Sequence, residues 1–214
     1  MKYLESVINS GLLNEIKKSD YIDAFEQLRI TSKSYQKNAP VFLEGDVIDK
    51  ICIIQQGSVR AEKNDSNGEI HIIEIFEEDS IFGMEIVSSQ KKNATLDYIS
   101  NEESTIIFVT MASILKSDYS TGIIKVLLLM MADENIKMAH KIEILAERSL
   151  RGRIMIYLDV LRKKSGSRDV SIRMSREQLA QYLCVNRSAL SNELNVMKRE
   201  GLIDFKGPRF RILK

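Results

Sequence analysis

The pattern of hydrophobic and polar residues divides the chain into three parts. Over residues 4–28 the apolar residues recur at helical spacing, which predicts one or two short helices. From about Arg29 to Val109 the pattern changes to short runs rich in β-branched and aromatic residues, with turn signals between them. Four such runs are 41–43, 51–54, 70–76 and 105–109. Many short strands at this spacing predict a small antiparallel β-sandwich or barrel-like roll, similar to a jelly roll.

One pair of residues between these runs, Asn67-Gly68, is a strong hairpin signal. A type I′ turn needs a positive φ at both central residues, and asparagine and glycine tolerate that conformation best. We therefore expect a two-residue type I′ hairpin at this point.

The third part begins with a stretch free of glycine and proline, from Ile123 to Leu150, which predicts a long helix. Six of its residues recur alternately at intervals of three and four, the spacing of a coiled-coil seam: Leu128, Met131, Asn135, Met138, Ile142 and Leu145. Asn135 falls at an a position, where a buried asparagine lowers stability but favours a two-stranded state. The alternative is a stripe that packs the helix onto its own roll. Because such a helix spans about 40 Å and the roll is small, we favour a dimerisation helix.

The C-terminal part has strong helix-capping signals. After a predicted helix over 152–164, Ser175 and Gln178 form a capping box, and Asn186 is a second good N-cap. The helix after Asn186 is expected to run to about Glu200 and to end at Gly201. The residues expected to be buried are Leu179, Ala180, Leu183, Leu190, Leu194 and Met197. This spacing, with a small residue where the two helices cross, is typical of a helix-turn-helix.

The second of these helices begins with polar residues of the types that contact base edges in a DNA major groove. Residues 202–212 then predict a hairpin, whose basic tip would contact phosphates as a wing. The candidate DNA contacts are Arg187, Ser188, Ser191, Asn192, Arg176 and Arg209.

Charge is distributed unevenly along the chain. Residues 1–147 have a net charge of −9, whereas residues 148–214 contain 16 basic and 6 acidic residues, a net charge of +10. A basic part that also has a helix-turn-helix and a wing points to double-stranded DNA as a partner. An alternative of a different class is a β-roll sensor or scaffold whose helix-turn-helix binds a protein.

Composition disfavours other classes of protein. The two histidines and two cysteines have no metal-ligand spacing, and no phosphate-binding loop or nucleophile motif occurs, so we expect neither an enzyme nor a metal site. No run of 18 uncharged apolar residues is present, so we expect a cytoplasmic protein without a membrane partner.

The chain resembles the Crp/Fnr family of bacterial transcription regulators over essentially its full length. The matching segments are Glu44-Gly45-Asp46, Ile54-Gln55-Gln56-Gly57-Ser58-Val59, Ile81-Phe82-Gly83, and Leu179-Ala180-Gln181-Tyr182-Leu183 through Arg187-Ser188-Ala189-Leu190-Ser191. The resemblance implies a homodimer that binds a two-fold symmetric operator, contacts RNA polymerase, and responds to a small signal molecule. It also implies that Arg187, Ser188 and Asn192 contact bases, with Ser191 beside them.

The departures from the family concern the effector. Cyclic-nucleotide members have Gly-Glu followed about ten residues later by an arginine that pairs with the phosphate. Here Met84 stands at the glutamate position, and Lys92 or Asn93 at the arginine position. Loss of a bidentate arginine weakens phosphate binding, so we expect an unidentified small-molecule effector other than cAMP. If the family geometry holds, its site is lined by Gly83, Glu85, Lys92, Asn93, Thr95 and Asn135. Two alternatives are a cyclic-nucleotide regulator with a degenerate cassette and a regulator that has lost its effector.

A second departure is Cys184, which replaces the usual glycine of the helix-turn-helix turn. A side chain in a left-handed turn costs about 1 kcal/mol, and we expect a small buried residue here rather than a redox thiol. The sequence thus predicts a β-roll domain over 1–119, a dimerisation helix over 120–147 and a winged helix-turn-helix over 148–214.

Overall fold

The computed structural model describes residues 3–213, and its α+β architecture confirms the predicted fold class. The chain forms two compact units. The first unit comprises the residues up to 64 together with 73–134, and the second comprises 65–72 together with the residues from 135 onwards. The tip of one hairpin, residues 65–72, therefore belongs with the second unit.

The β-branched and aromatic runs form a roll of two four-stranded antiparallel sheets. The strands are β1 (Thr31–Tyr35), β2 (Pro40–Phe42), β3 (Lys50–Gln56), β4 (Val59–Asn64), β5 (Ile70–Phe76), β6 (Ile81–Phe82), β7 (Asp97–Ser100) and β8 (Ser104–Thr110). One sheet has the order β1-β8-β3-β6, and the other has the order β2-β7-β4-β5. In the first sheet Ile51 lies opposite Val109, and Ile53 lies opposite Ile107. Ile51–Ile54 is buried throughout rather than at alternate residues, which is expected of a strand covered on both faces.

Short helices accompany the roll, and the first two of them confirm the helices predicted over residues 4–28. They are α1 (Leu4–Asn9), α2 (Tyr21–Gln27), α3 (Met84–Val87) and α4 (Met111–Lys116), with a 3₁₀ turn at Lys18–Asp20. Helix α1 packs on β3, so that Val7 joins the core of the roll. Leu12, Leu13 and Leu28 are buried in the same core.

The hairpin between β4 and β5 differs from the expected type I′ turn. Gly68 has a φ of +79°, but Asn67 is not among the residues with positive φ. The Gly68 amide donates to the Asp65 carbonyl, and the Asp65 amide donates to the Glu69 carbonyl, which defines a three-residue loop. The Asp65 carboxylate also accepts hydrogen bonds from the amides of Asn67 and Glu69. This side-chain acceptor stabilises the longer loop, so the two-residue prediction is wrong.

The long helix α5 (Ser120–Ala146) is present and ends before Leu150 because Ser149 caps the next helix. In the first unit it contributes Ile123, Val126 and Leu127 to the buried residues. Its large exposed apolar residues are Ile124, Leu128, Leu129, Ile136 and Ile142. Leu128 and Ile142, two a positions of the predicted seam, are 65% and 68% exposed. The stripe that buries the helix therefore does not include these two seam residues.

The second unit contains the predicted helix-turn-helix and wing. Its elements after α5 are α6 (Leu150–Ser165), β9 (Asp169–Ser171), α7 (Arg176–Tyr182), α8 (Arg187–Arg199), β10 (Ile203–Lys206) and β11 (Arg209–Ile212). The three strands form an antiparallel sheet of order β10-β11-β9. All six residues predicted to be buried in the helix-turn-helix are buried. Among residues 3–213, no helix is both long enough and apolar enough to span a membrane.

Candidate functional site

The helix-turn-helix is held by the caps that the sequence predicts. Ser175 and Gln178 form the capping box of α7, and the Asn186 side chain accepts a hydrogen bond from the Ala189 amide at 2.8 Å. Between the two helices Cys184 has a φ of +54°, the left-handed conformation expected of the turn. These local interactions fix where α8 begins, and therefore which side chains its first turns present.

The environment of Cys184 differs from the expectation. Its thiol is free and exposed to solvent, so the prediction of a small buried residue is wrong. The neighbouring Leu183 is fully buried, which shows that the core of the turn is filled by the residue before the cysteine. Cys52, by contrast, is buried within the roll, and this burial raises the pKa of its thiol.

The first turns of α8 present polar side chains on the surface. Arg187, Ser188 and Asn192 are exposed, and Ser191 is half-buried. The Ser188 hydroxyl donates to the Asn186 side chain at 2.8 Å. Within the described chain the side chains of Arg187 and Asn192 make neither a hydrogen bond nor an ion pair. Their donors are therefore available to a ligand.

Many other basic residues of the second unit are engaged internally. Arg151 donates to Glu193 and Glu200, in each case at 2.7 Å. Arg211 forms a two-point ion pair with Asp169, and this pairing lowers the pKa of Asp169. The positive charge of the unit is therefore partly neutralised by its own carboxylates. Unpaired cations such as Arg187 are the ones that remain available to bind an anionic ligand.

The wing places Arg209 and Lys206 opposite each other at the end of β10 and β11. Both are exposed, and Arg209 has no side-chain hydrogen bond or ion pair among residues 3–213. Arg176 has a different environment. Its guanidinium lies 5.1 Å and 4.7 Å from the ring centres of Phe205 and Phe210, and it donates to the Gly207 carbonyl at 3.0 Å. This geometry makes Arg176 an anchor of the wing.

The expected effector cassette lies at the start of α3. Gly83 has a φ of +80° and precedes the helix, and Met84 is 2% exposed, with its thioether side chain in the core. Glu85 is exposed, and its carboxylate accepts a hydrogen bond from the Tyr98 hydroxyl at 2.9 Å. The only carboxylate of this short segment is therefore already paired with a phenol of the roll.

Tyr98 is part of an aromatic cluster that fills this end of the roll. Its ring stacks on Phe82 at 5.4 Å and on Phe76 at 6.4 Å between ring centres, and it meets Phe42 edge to face at 6.3 Å. Burial, and then the Glu85 carboxylate, raise the pKa of Tyr98 well above its ordinary value. The phenol therefore remains a hydrogen-bond donor. Tyr98 was not among the residues predicted from the sequence. No local sequence pattern indicates that its strand, β7, brings the phenol to Glu85 of α3.

The remaining cassette residues are exposed on the following loop. Lys92 has a φ of +54°, and its amide donates to Ser89 while its carbonyl accepts from Ile48. The Asn93 side chain donates to the Gly45 carbonyl at 2.8 Å, and the Thr95 side chain is exposed. Of the six predicted effector residues, Gly83, Glu85, Lys92, Asn93 and Thr95 belong to the first unit. Asn135 belongs to the second, where it is exposed.

One group of potential metal ligands lies at the hairpin tip. Atoms of Asp65, Glu69 and His71 lie within 4.8 Å of one another, and His71 Nε2 is 3.3 Å from Asp65 Oδ2. Asp65 is already used as an acceptor by two amides of its own turn, which lowers its pKa. The hydrogen bonds of the turn account for the position of this carboxylate.

A β-roll, a long helix and a winged helix-turn-helix in this order define a class of two-domain regulators. Two family descriptions match the chain: the cyclic nucleotide-binding domain over residues 32–116 and the Crp-like helix-turn-helix domain over residues 152–214. Together they cover more than half of the sequence. The chain belongs to the Crp/Fnr family of transcription regulators.

Solved structures of the family share this fold at low sequence identity. FixK2 from Bradyrhizobium japonicum is 18% identical with a TM-score of 0.70, over 87% of this chain and 94% of that chain. CooA from Carboxydothermus hydrogenoformans, solved as a mutant, is 15% identical with a TM-score of 0.75, over 95% and 90%. The c-di-GMP-responsive regulator CLP from Xanthomonas campestris is 16% identical with a TM-score of 0.69, over 90% and 98%. No curated protein sequence matches the chain.

Proposed function

We propose that this chain is a homodimeric, sequence-specific DNA-binding transcription regulator that responds to a small molecule other than cAMP. The observation that carries the DNA-binding proposal is the start of α8, where Arg187 and Asn192 expose unpaired donors beside Ser188. Arginine and asparagine make two-point contacts to guanine and adenine in the major groove. The domain assignment of 1–119, 120–147 and 148–214 is part of this proposal, as are a cytoplasmic location and contact with RNA polymerase.

The proposed base contacts of α8 are tested with a DNA site that the wild-type protein selects from a pool of random sequences. We expect Arg187→Ala to weaken binding to the selected site by about 1–3 kcal/mol and to relax the preference at one base pair. Arg199→Ala is the matched control, because it removes the same charge from the other end of α8. Arg209→Ala should weaken binding to all sequences alike.

The salt dependence of binding separates DNA recognition from protein recognition. For DNA, log K should fall with log salt by about 0.9 for each phosphate contacted. If the wild-type protein shows no sequence preference and Arg187→Ala binds equally well, the assignment of α8 is wrong. The alternative of a sensor that binds a protein partner would then be favoured.

The dimer proposal is supported by the exposed apolar residues of α5. Leu128 and Ile142 are open to solvent at two a positions, and Asn135 is exposed between them. Met131, Met138 and Leu145 are half-buried at the d positions. A second copy of the helix would cover the apolar a residues and pair Asn135 with its counterpart, an arrangement that favours two strands.

The effector proposal is supported by the altered cassette. Met84 is buried where cyclic-nucleotide members have a ligand-binding glutamate, and Glu85 is paired with Tyr98. Lys92 supplies a point charge in place of a two-point arginine contact. Because one structural relative is described as c-di-GMP-responsive, c-di-GMP belongs among the first candidates for the effector.

The melting temperature of the protein with and without excess cAMP tests this proposal. A ligand at about 100 times its dissociation constant adds roughly 2.7 kcal/mol of stability, a shift of a few degrees. We expect no shift with cAMP. A clear shift that Lys92→Ala abolishes would establish the alternative, a cyclic-nucleotide regulator with a degenerate cassette.

A further inference from the structure

Lys141 is a buried lysine in the part of α5 that belongs to the second unit. The residue is only 5% exposed. The ammonium donates to the Ile72 carbonyl at 3.1 Å and to the Tyr182 carbonyl, and it lies 3.0 Å from the centre of the Tyr182 ring. One cation therefore contacts both the tip of the β4–β5 hairpin and the last residue of α7.

Such a burial needs compensation. An ammonium removed from water is destabilising unless carbonyls or an aromatic face replace its hydration. The carbonyls at a helix C-terminus suit this role, because they have no partner within the helix and form the negative end of its dipole. Tyr182 is the last residue of α7, and Ile72 is fully buried on the hairpin side.

A second cation binds the same helix end. Arg153 of α6 donates to the Leu183 carbonyl at 3.0 Å and to the Glu147 carbonyl at 2.8 Å. Two consecutive carbonyls at the end of α7 are thus held by side chains from α5 and α6. The turn that follows leads to Arg187, the first residue of α8. Unlike Arg153, Lys141 also binds the hairpin, through the Ile72 carbonyl.

We propose that Lys141 is a positioning residue that fastens the hairpin tip to the end of α7 and so orients α8 for DNA. The proposal rests on the proposed DNA-binding function for its consequence, but not for the contact itself. Because Lys141 binds both segments, ordering either one orders the other. By thermodynamic reciprocity, DNA that fixes the helix-turn-helix should also protect the hairpin.

Hydrogen exchange measured by mass spectrometry on the full-length protein tests the contact without DNA. We expect Lys141→Met to speed exchange in a peptide covering residues 65–72 by about tenfold, because the hairpin opens locally. Arg153→Met is the matched control, because it removes a cation from the same helix end. It should leave the exchange rate of the hairpin peptide unchanged. Lys141→Arg should restore protection, which a purely steric role of the side chain would not predict. Unchanged exchange in Lys141→Met would overturn the proposal.

DNA then tests the consequence. Selected DNA should slow hairpin exchange in the wild-type protein and in Arg153→Met, but not in Lys141→Met. Affinity should fall about tenfold in Lys141→Met with an unchanged salt slope, because a buried ammonium contacts no phosphate. If Lys141→Met does not fold, Lys141→Gln replaces it with the same expected outcome. Hairpin protection by DNA in the substituted protein would refute the coupling, whereas failure of every variant to bind DNA would refute only the proposed function.

Discussion

The exposed seam of α5 yields a quantitative prediction for the oligomeric state. In a parallel two-stranded coiled coil each a residue packs against the same residue of the partner helix. Replacing Leu128 and Ile142 by alanine therefore removes four large side chains from the dimer interface. Both residues are largely exposed in the protomer, at 65% and 68%, so the protomer itself should keep its stability.

The magnitude follows from the exposed fractions. Full burial of a leucine or isoleucine side chain contributes about 1.5–3 kcal/mol, and about two thirds of that burial remains available here. Each side chain then contributes roughly 1–2 kcal/mol, and the four together roughly 4–8 kcal/mol. Since 1.4 kcal/mol corresponds to a tenfold change, the dissociation constant of the dimer should rise by about 10³- to 10⁶-fold.

Sedimentation velocity over a series of protein concentrations measures this change. The control is the double substitution of Leu129 and Ile136 by alanine, because these residues are 54% and 57% exposed on the same helix but lie outside the seam. Circular dichroism verifies that both variants are folded. Equal dissociation constants for the two double variants would refute the seam, and a wild-type protein that stays monomeric at all concentrations would refute the dimer.

Three further predictions concern stability. Gly57→Ala should lower the free energy of unfolding, measured in urea, by about 1–3 kcal/mol more than Gly68→Ala does. Both glycines have a positive φ, but a Cβ at Gly57 would lie 2.7 Å from a backbone oxygen, whereas the space around Gly68 is open. Equal losses would contradict this. Arg176→Met should destabilise the protein by about 2 kcal/mol and raise proteolytic cleavage in the wing, since it removes a charged hydrogen bond and two cation–π contacts; a wing cleaved at the wild-type rate would contradict this. The Ser149 amide and hydroxyl lower the pKa of Glu147, so its stabilisation should be present above the ordinary carboxyl pKa and lost as the pH falls through the lowered value. Urea unfolding of Glu147→Gln should therefore differ from wild type at pH 7 and converge with it once the pH falls below the lowered pKa of Glu147, and a constant difference would exclude the carboxylate as the cause.

The helix-turn-helix is the part of the molecule that could be predicted in most detail. Its N-caps, its buried residues and the ends of α8 depend on interactions between residues three or four positions apart. The strands of the roll and the long helix follow in the same way from the period of the apolar residues. The hairpin loop at Asn67-Gly68 was an exception, because the Asp65 carboxylate selects a longer loop.

The sequence by itself therefore determined the order of elements, the fold class and the residues that α8 presents, because local spacing and capping encode them. Only the tertiary structure decided which polar groups are already occupied. Glu85 pairs with Tyr98, Arg176 binds the wing, and Lys141 is buried against two carbonyls. The exposure of Cys184 was decided in the same way. These outcomes depend on partners far apart in the chain, and a charged side chain in a helix has the same local pattern whether it contacts solvent, DNA or a carbonyl.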